Sequence, residues 1–299
     1  MAVDTASPTG GTPSGGATSP SDAVATASGQ IAPRPRVRPG RWVRDHLVIF
    51  FGILGLVYMF IPIIVVIVFS FNKPAGSFNY TWTEFSLDAW AHPCAVEGMC
   101  AAVGLSLKIA VLSTIAATVI GTVAAFGLVR YDFRGKGLAN ILVFVPMATP
   151  EVVAGSSLLV LFVNLGFPLG QTTIWIAHTV FCLSFVVVTV KARLVGMDPR
   201  LEQAAQDLYA NRTQTFLRIT LPLIMPGIVG AAMLSFSLSF DDFIITNFNS
   251  GSEVTFPMFV WGAAKKALPP QINVVGTAML VVALLLTIGG RLISERRAR

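Results

Sequence analysis

Long apolar runs, broken by short basic loops, constrain this chain more than any other feature. They fall near residues 47–71, 103–129, 138–165, 174–190, 223–248 and 272–293. Each is long enough to cross the roughly 30 Å hydrocarbon core of a bilayer as a helix. No water is available there to satisfy open backbone, so helices that pair their own N–H and C=O groups are the solution an apolar run of this length allows. Only 12% of residues are charged, and the mean hydropathy is +0.72; a soluble domain carries about 25% charge. The fold class expected is an all-α membrane protein with six transmembrane helices. Two regions are expected, a basic tail over 1–45 and a transmembrane domain over 46–299. Residues 1–33 are rich in Ala, Gly, Ser, Thr and Pro, which predicts a disordered segment. No apolar stretch follows a charged start there, so a signal peptide is not expected.

The charges set the orientation. Of the 21 Lys and Arg residues, seventeen lie in the N-terminal tail, the 130–136 loop, the 191–218 segment and the C-terminal tail. Lys73, Lys265 and Lys266 lie on the opposite side, and Lys108 sits where it can snorkel to the interface. By the positive-inside rule both termini are cytoplasmic (N-in/C-in), as is the segment between helices 4 and 5. The net charge of +6 is thus a topology signal and not a nucleic-acid footprint. Ala117, Gly121 and Ala125 recur every four residues in helix 2, a spacing that lets helices approach closely. Pro62 is expected to kink helix 1, and Pro146 and Pro150 interrupt helix 3. Cys182 reads as a small core residue. Cys94 and Cys100 share the outer 72–102 loop, where a disulfide and a pair of free thiols both fit. His46, His92 and His178 carry no partner pattern and are read as structural. Trp82, Trp90 and Trp261 read as interfacial anchors, in loops that a solute-binding protein can dock against.

The stretch 198–222 is polar and helical between two apolar runs. Asp198 is a good N-cap and Pro199 a good first helical residue. Leu201, Ala204, Ala205 and Leu208 fall at i, i+3, i+4 and i+7 and make a narrow apolar stripe that can enter a groove. Glu202 lies in the first turn, where negative charge suits the helix dipole. Pro222 and Pro226 are expected to give helix 5 a rigid entry. The plainer reading is a helical linker on the membrane surface.

Glu202-x-Ala204-Ala205, with Ile219-x-Leu221-Pro222 further on, resembles the EAA loop of ATP-binding-cassette (ABC) importer permeases. The resemblance covers about residues 45–295. It implies a type I ABC importer permease with a cytoplasmic coupling helix between helices 4 and 5. In that family the coupling helix docks into the ATPase subunit, and Glu202, Ala204, Ala205, Leu208, Tyr209 and Pro222 are the residues the resemblance assigns to it. The family usually has Gly where Tyr209 stands. Pro150-Glu151-Val152-Val153-x-Gly155-Ser156-Ser157-Leu158-Leu159, Ser239-Phe240-Asp241-Asp242-Phe243 and Phe256-Pro257-Met258-Phe259-Val260-Trp261 look like stretches of the spermidine/putrescine permeases. The resemblance implies a second permease subunit, two ATPase subunits that hold ATP and Mg, and an extracytoplasmic polyamine-binding protein, all at a bacterial inner membrane. It implies no cofactor bound by this chain itself.

Three carboxylates lie within the apolar runs. Glu151 is about 13 residues into helix 3, and Asp241 and Asp242 are about 19 residues beyond Pro222, roughly 20 and 28 Å along their helices. Each costs on the order of 2.5–3.5 kcal/mol at bilayer depth, so such groups face a wet cavity or the bundle interior. A polyamine needs spaced carboxylates and aromatic faces. Asp241, Asp242 and Glu151, with Phe240 and Phe243, are therefore the candidate translocation-path residues. The competing roles are a helix cap or inter-subunit bond for Asp241 and a brace of the Pro150 kink for Glu151. No phosphate-binding loop, zincin motif or nucleophile elbow occurs, so the chain is expected to be a transport subunit and not an enzyme. Transport of another solute, such as ferric ion or thiamine, and an ion-coupled carrier needing no ATPase are the alternatives left open.

Overall fold

The computed structural model describes the backbone of residues 39–297 and the side-chain surroundings of 46–285. The segment expected to be disordered, and most of the basic tail, lies outside the described residues. The helices are α1 (Pro39–Phe69), α2 (Asp88–Ala91), α3 (Met99–Arg130), α4 (Lys136–Ala148), α5 (Glu151–Asn164), α6 (Gln171–Val195), α7 (Arg200–Asp207), α8 (Arg212–Thr215), α9 (Leu221–Asp241), α10 (Ile244–Asn249), α11 (Phe256–Ala264) and α12 (Pro270–Arg297), with a π turn at Phe216–Thr220 between α8 and α9. Among the described residues the only β pairing is two isolated bridges. The chain forms two units, one ending at Phe60 and the other beginning at Ile61. In the first, the described part is helical and is apolar from Leu47 onward. The rest of this description concerns the second.

Its core is a three-helix packing of α3, α6 and α9. The small-residue stripe of α3 lies at the contact. Ala117 and Ala125 are fully buried, and a Cβ at Gly121 would stand 2.7 Å from Val186 Cγ1 of α6. Glycine is therefore required there for backbone approach. Val186, Val187 and Val190 of α6 and Ala231 of α9 complete the same cluster. Cys182 is buried in it as expected.

Two expected spans are broken. The helix expected over 138–165 is instead α4 and α5, which meet at 108°. Pro150 disfavours helical backbone at the residue before it, and Thr149 is accordingly extended at ψ 132°. The helix expected over 223–248 ends at Asp241. Asp242 is extended at ψ 122°, and its carboxylate accepts from the N–H groups of Ile245 (3.4 Å) and Thr246 (2.8 Å), which starts α10. A side-chain acceptor has replaced the helical carbonyl. Among the described residues four helices are long and apolar enough to cross a membrane, and the bent α4–α5 pair makes a fifth when counted as one span; Pro270–Leu285 of α12 is a shorter apolar stretch.

The segment that follows α1 is held by polar bonds. Asn72 Nδ2 donates to Asn79 Oδ1 (2.6 Å) and to the Thr81 carbonyl (2.8 Å), and its Oδ1 accepts from Thr83 N–H. Cys94 and Cys100 are joined as a disulfide, which decides between the two readings of that pair. At the α7 end, Lys136 bonds Asp132 at 2.8 Å and holds that carboxyl below the usual carboxylate range.

Candidate functional site

Helix α7 has no buried residue. Its start lies one residue later than the sequence implies. Pro199 is the N-cap, and Asp198 accepts from the Arg200 N–H at 2.9 Å. Leu201 and Ala204 are exposed and Ala205 is half-buried, while Leu208 and Tyr209 are 81% and 97% exposed. The expected stripe thus faces away from the bundle. Tyr209 has φ +63°, the one positive φ of a non-glycine among the described residues. Its N–H donates to the Gln206 carbonyl (2.9 Å), and that of Ala210 donates to the Ala205 carbonyl (3.1 Å). These two bonds close a Schellman C-terminus, whose left-handed position ordinarily takes Gly. The turn survives with Tyr in the place of Gly.

Glu202 does not share the outward face. Its Oε1 accepts from Arg130 Nη2 of α3 at 2.8 Å and from Thr220 Oγ1 of the π turn at 2.7 Å. About four-fifths of each side chain of the ion pair is buried. Pro222 is exposed near the first position of α9. The expected rigid entry is instead a continuous helical run over 212–241 that contains the π turn. Proline lacks an N–H and its ring crowds the carbonyl four residues back. The ladder adapts by lengthening one turn, and the Leu221 N–H reaches the Phe216 carbonyl.

The carboxylates separate into two kinds. Asp241 and Glu151 are exposed on the unit's surface. They lie at the two helix breaks, Asp241 as the last residue of α9 and Glu151 as the first of α5. Asp242 points inward instead. Besides the α10 N–H groups it accepts from Thr246 Oγ1 (2.9 Å), and it lies 3.2 Å from His178 Nε2 of α6, with both side chains at least 96% buried. Phe240 stacks on Phe236 at 6.2 Å between centroids. Phe243 rests on Trp261 at 5.3 Å, whose ring carries Lys265 Nζ at 4.9 Å from its centroid.

His178 is structural, as expected, but its partners are what sequence reasoning missed. Its Nδ1 pairs with Ser239 Oγ at 2.7 Å and its Nε2 with Thr246 Oγ1 at 2.8 Å, so it bonds both sides of the α9–α10 break. The partners are more than 60 positions away, so no local spacing reveals them. The available signal was that a polar ring inside an apolar run must be bonded when buried. Thr173 of α6 adds a bond to the Asn249 carbonyl (2.7 Å), and Asn249 Nδ2 donates to the Gly155 carbonyl of α5 (3.2 Å).

Comparison with known proteins places this arrangement. Residues 117–299 match the family model described as the binding-protein-dependent transport system inner membrane component. The chain is 38% identical over 243 residues to the spermidine/putrescine transport system permease protein PotC of Escherichia coli (strain K12), covering 81% of this chain and 91% of that one. It is 37% identical over 246 residues to the putrescine transport system permease protein PotI of the same organism, covering 80% and 87%. Among solved structures, a chain of a bacterial alginate ABC transporter, in complex with alginate pentasaccharide-bound periplasmic protein, superposes with a TM-score of 0.63 at 16% identity, covering 86% of this chain and 96% of that one. A chain of the inward-facing MetNI methionine ABC transporter gives 0.56 at 16% identity, covering 67% and 96%. The broken spans, the exposed short helix and these matches converge, and the chain belongs to the binding-protein-dependent transport system inner membrane component family, the permease subunits of ABC importers.

Proposed function

We propose that this chain is one permease subunit of an ATP-driven polyamine importer at the bacterial inner membrane. Spermidine and putrescine, named for PotC and PotI, are the solutes to which the reading commits. Six spans cross the membrane with both termini cytoplasmic, α4 and α5 together forming the third. A second permease subunit completes the path, and an extracytoplasmic binding protein delivers the solute at the disulfide-bearing end. Helix α7 is the coupling helix. Leu201, Ala204, Ala205, Leu208 and Tyr209 dock into an ATPase subunit, one of two that bind ATP and Mg.

The observation that carries the solute assignment is the pair of exposed carboxylates at the two helix breaks. Asp241 and Glu151 stand exposed on mostly apolar helices, where a carboxylate is costly unless it meets water, a cation or a partner. A flexible diamine offers two cationic ends, and Phe240 beside Asp241 supplies an aromatic face for the methylene chain and its ammonium. Asp242 holds the α9–α10 break from within and so presents Asp241.

Uptake of labelled spermidine and putrescine, in cells lacking other polyamine importers, tests the reading. Cells carrying the whole complex accumulate both in an ATP-dependent manner. Asp241→Asn and Glu151→Gln each lower uptake by about tenfold or more, as expected for a group worth about 1.4 kcal/mol or more to the passing cation, with the complex still assembled. Accumulation by this chain alone without ATP, or unchanged uptake in both variants, contradicts the proposal.

A further inference from the structure

Two of the apolar spans end in an arginine at the same place. Arg130 is the last residue of α3, and Arg212 is the first of the helical run that continues to Asp241. Both line one cavity of about 560 Å³. The two charges therefore stand at one level, where the hydrocarbon of a bilayer gives way to its headgroups. With the basic segments cytoplasmic, this is the level of the cytoplasmic leaflet, whose anionic lipids attract Lys and Arg.

The cavity holds more donors than its own chain uses. Arg130 Nη2 is spent on Glu202 at 2.8 Å, but Arg130 Nε is buried without a partner. Arg212 is exposed and bonds no other side chain among the described residues. Two arginines against the one carboxylate of Glu202 leave a positive charge unmatched. The hydroxyls of Thr215 and Thr220 already donate, to the Asn211 carbonyl (3.1 Å) and to Glu202 (2.7 Å). That of Thr213, also in the lining, bonds nothing among the described residues. Guanidinium donors beside a free hydroxyl suit a phosphate oxygen and disfavour an ammonium, so the transported cation is not the occupant. The wall beneath is aromatic. Phe126 meets Phe216 edge-on at 5.0 Å between centroids, and Tyr131, half exposed, packs on Phe126 at 6.3 Å. Tyrosine at this level is an ordinary interfacial residue.

We propose that this cavity binds the phosphate of an anionic phospholipid of the cytoplasmic leaflet, held by Arg130, Arg212 and Thr213, with the glycerol and first methylenes along Phe126 and Phe216. A soluble phosphate has the same head chemistry but gains nothing from the aromatic wall, and it is not drawn to the bilayer surface as a lipid is. The site rests on the cytoplasmic placement of this end of the chain and not on the identity of the solute. Loss of the site in the experiment below leaves polyamine uptake, which is measured separately, as it was.

The full complex, with both permease subunits and both ATPase subunits, is purified in detergent, stripped of loosely held lipid and offered phosphatidylglycerol, cardiolipin and phosphatidylcholine in equal amounts. Retained lipid is read by native mass spectrometry. The complex is expected to hold phosphatidylglycerol or cardiolipin in preference to phosphatidylcholine. Arg212→Gln is expected to lower that retention about fivefold, the effect of one basic residue at an anionic surface. Arg212 is exposed, so the variant keeps the fold. Arg134→Gln removes an exposed charge from the neighbouring loop, outside the cavity lining, and should leave retention unchanged. Equal retention of anionic and zwitterionic lipid overturns the proposal, as does retention that Arg212→Gln does not lower or that Arg134→Gln lowers equally. Labelled inorganic phosphate is the second probe. Phosphate bound by the complex while no anionic lipid is retained makes the cavity a site for a soluble anion, and the lipid assignment fails.

Discussion

At the scale of single residues, two positions carry more constraint than their neighbours. Tyr209 holds a left-handed backbone conformation, which costs an L-residue with a Cβ roughly 1–2 kcal/mol. Its ring is almost fully exposed, so little packing offsets that cost within this chain. Tyr209→Gly is expected to stabilise the α7 terminus by about 1 kcal/mol, seen as slower amide exchange at Ala210 and Tyr209 in the isolated subunit. In the complex, loss of ATPase attachment by the same variant would show that the ring is a contact. His178 is the other position. Removing the ring leaves Ser239, Thr246 and Asp242 short of a buried partner, at about 1–3 kcal/mol for each group left unpaired. His178→Ala should lower the thermal midpoint of the purified complex by several degrees, and His178→Gln, which keeps one donor and one acceptor, should recover part of it. An unshifted midpoint in the alanine variant would mean that the network contributes nothing.

At the scale of elements, the broken helices depend on close approach as well as on breakers. α5 packs on α10 through Gly155, where a Cβ would lie 2.9 Å from Phe248 Cδ2 and 3.2 Å from the Ile245 Cα. The second of these is backbone and cannot step aside. Overpacking of this kind costs about 1–3 kcal/mol. Gly155→Ala should therefore push α5 from α10, displace Glu151 relative to Asp241 and lower uptake more than Ser157→Ala, which alters an exposed position of the same helix. Equal uptake in the two variants would show that the contact is slack. The α9 entry follows the same logic in reverse. Pro222 is accommodated by a lengthened turn, and the element stays one continuous helical run from Arg212 to Asp241.

At the scale of the whole molecule, the charge distribution and the disulfide make one joint statement about orientation. Cys94 and Cys100 are joined as a disulfide, which an oxidising exterior favours, and the positive-inside count expects their loop on the side opposite the basic segments. In intact spheroplasts the pair should resist a membrane-impermeant maleimide until a membrane-impermeant reductant is added, after which both thiols label. Labelling without reductant, or none after it, would count against this orientation. Cys182 is buried and should remain unlabelled in the folded protein in either case.

The amino-acid sequence alone determined the class, the number of apolar runs, the orientation expected from charge, the small-residue stripe of α3 and the position of α7. All of these rest on local pattern: run length, a four-residue period, a Pro after an Asp, a count of Lys and Arg. It also singled out Tyr209, because one residue type is favoured at a helix terminus that turns left-handed. What it could not determine was which way a polar side chain turns. Glu202 stood in an outward-reading motif, yet it bonds Arg130 and Thr220, 72 and 18 positions away. Asp241 and Asp242 were equivalent neighbours in sequence, yet one is exposed and the other is buried against His178. Only the tertiary structure decided those cases, because a buried polar group takes whichever partner the packing of distant helices brings within about 3 Å, and periodicity along one helix carries no record of the others.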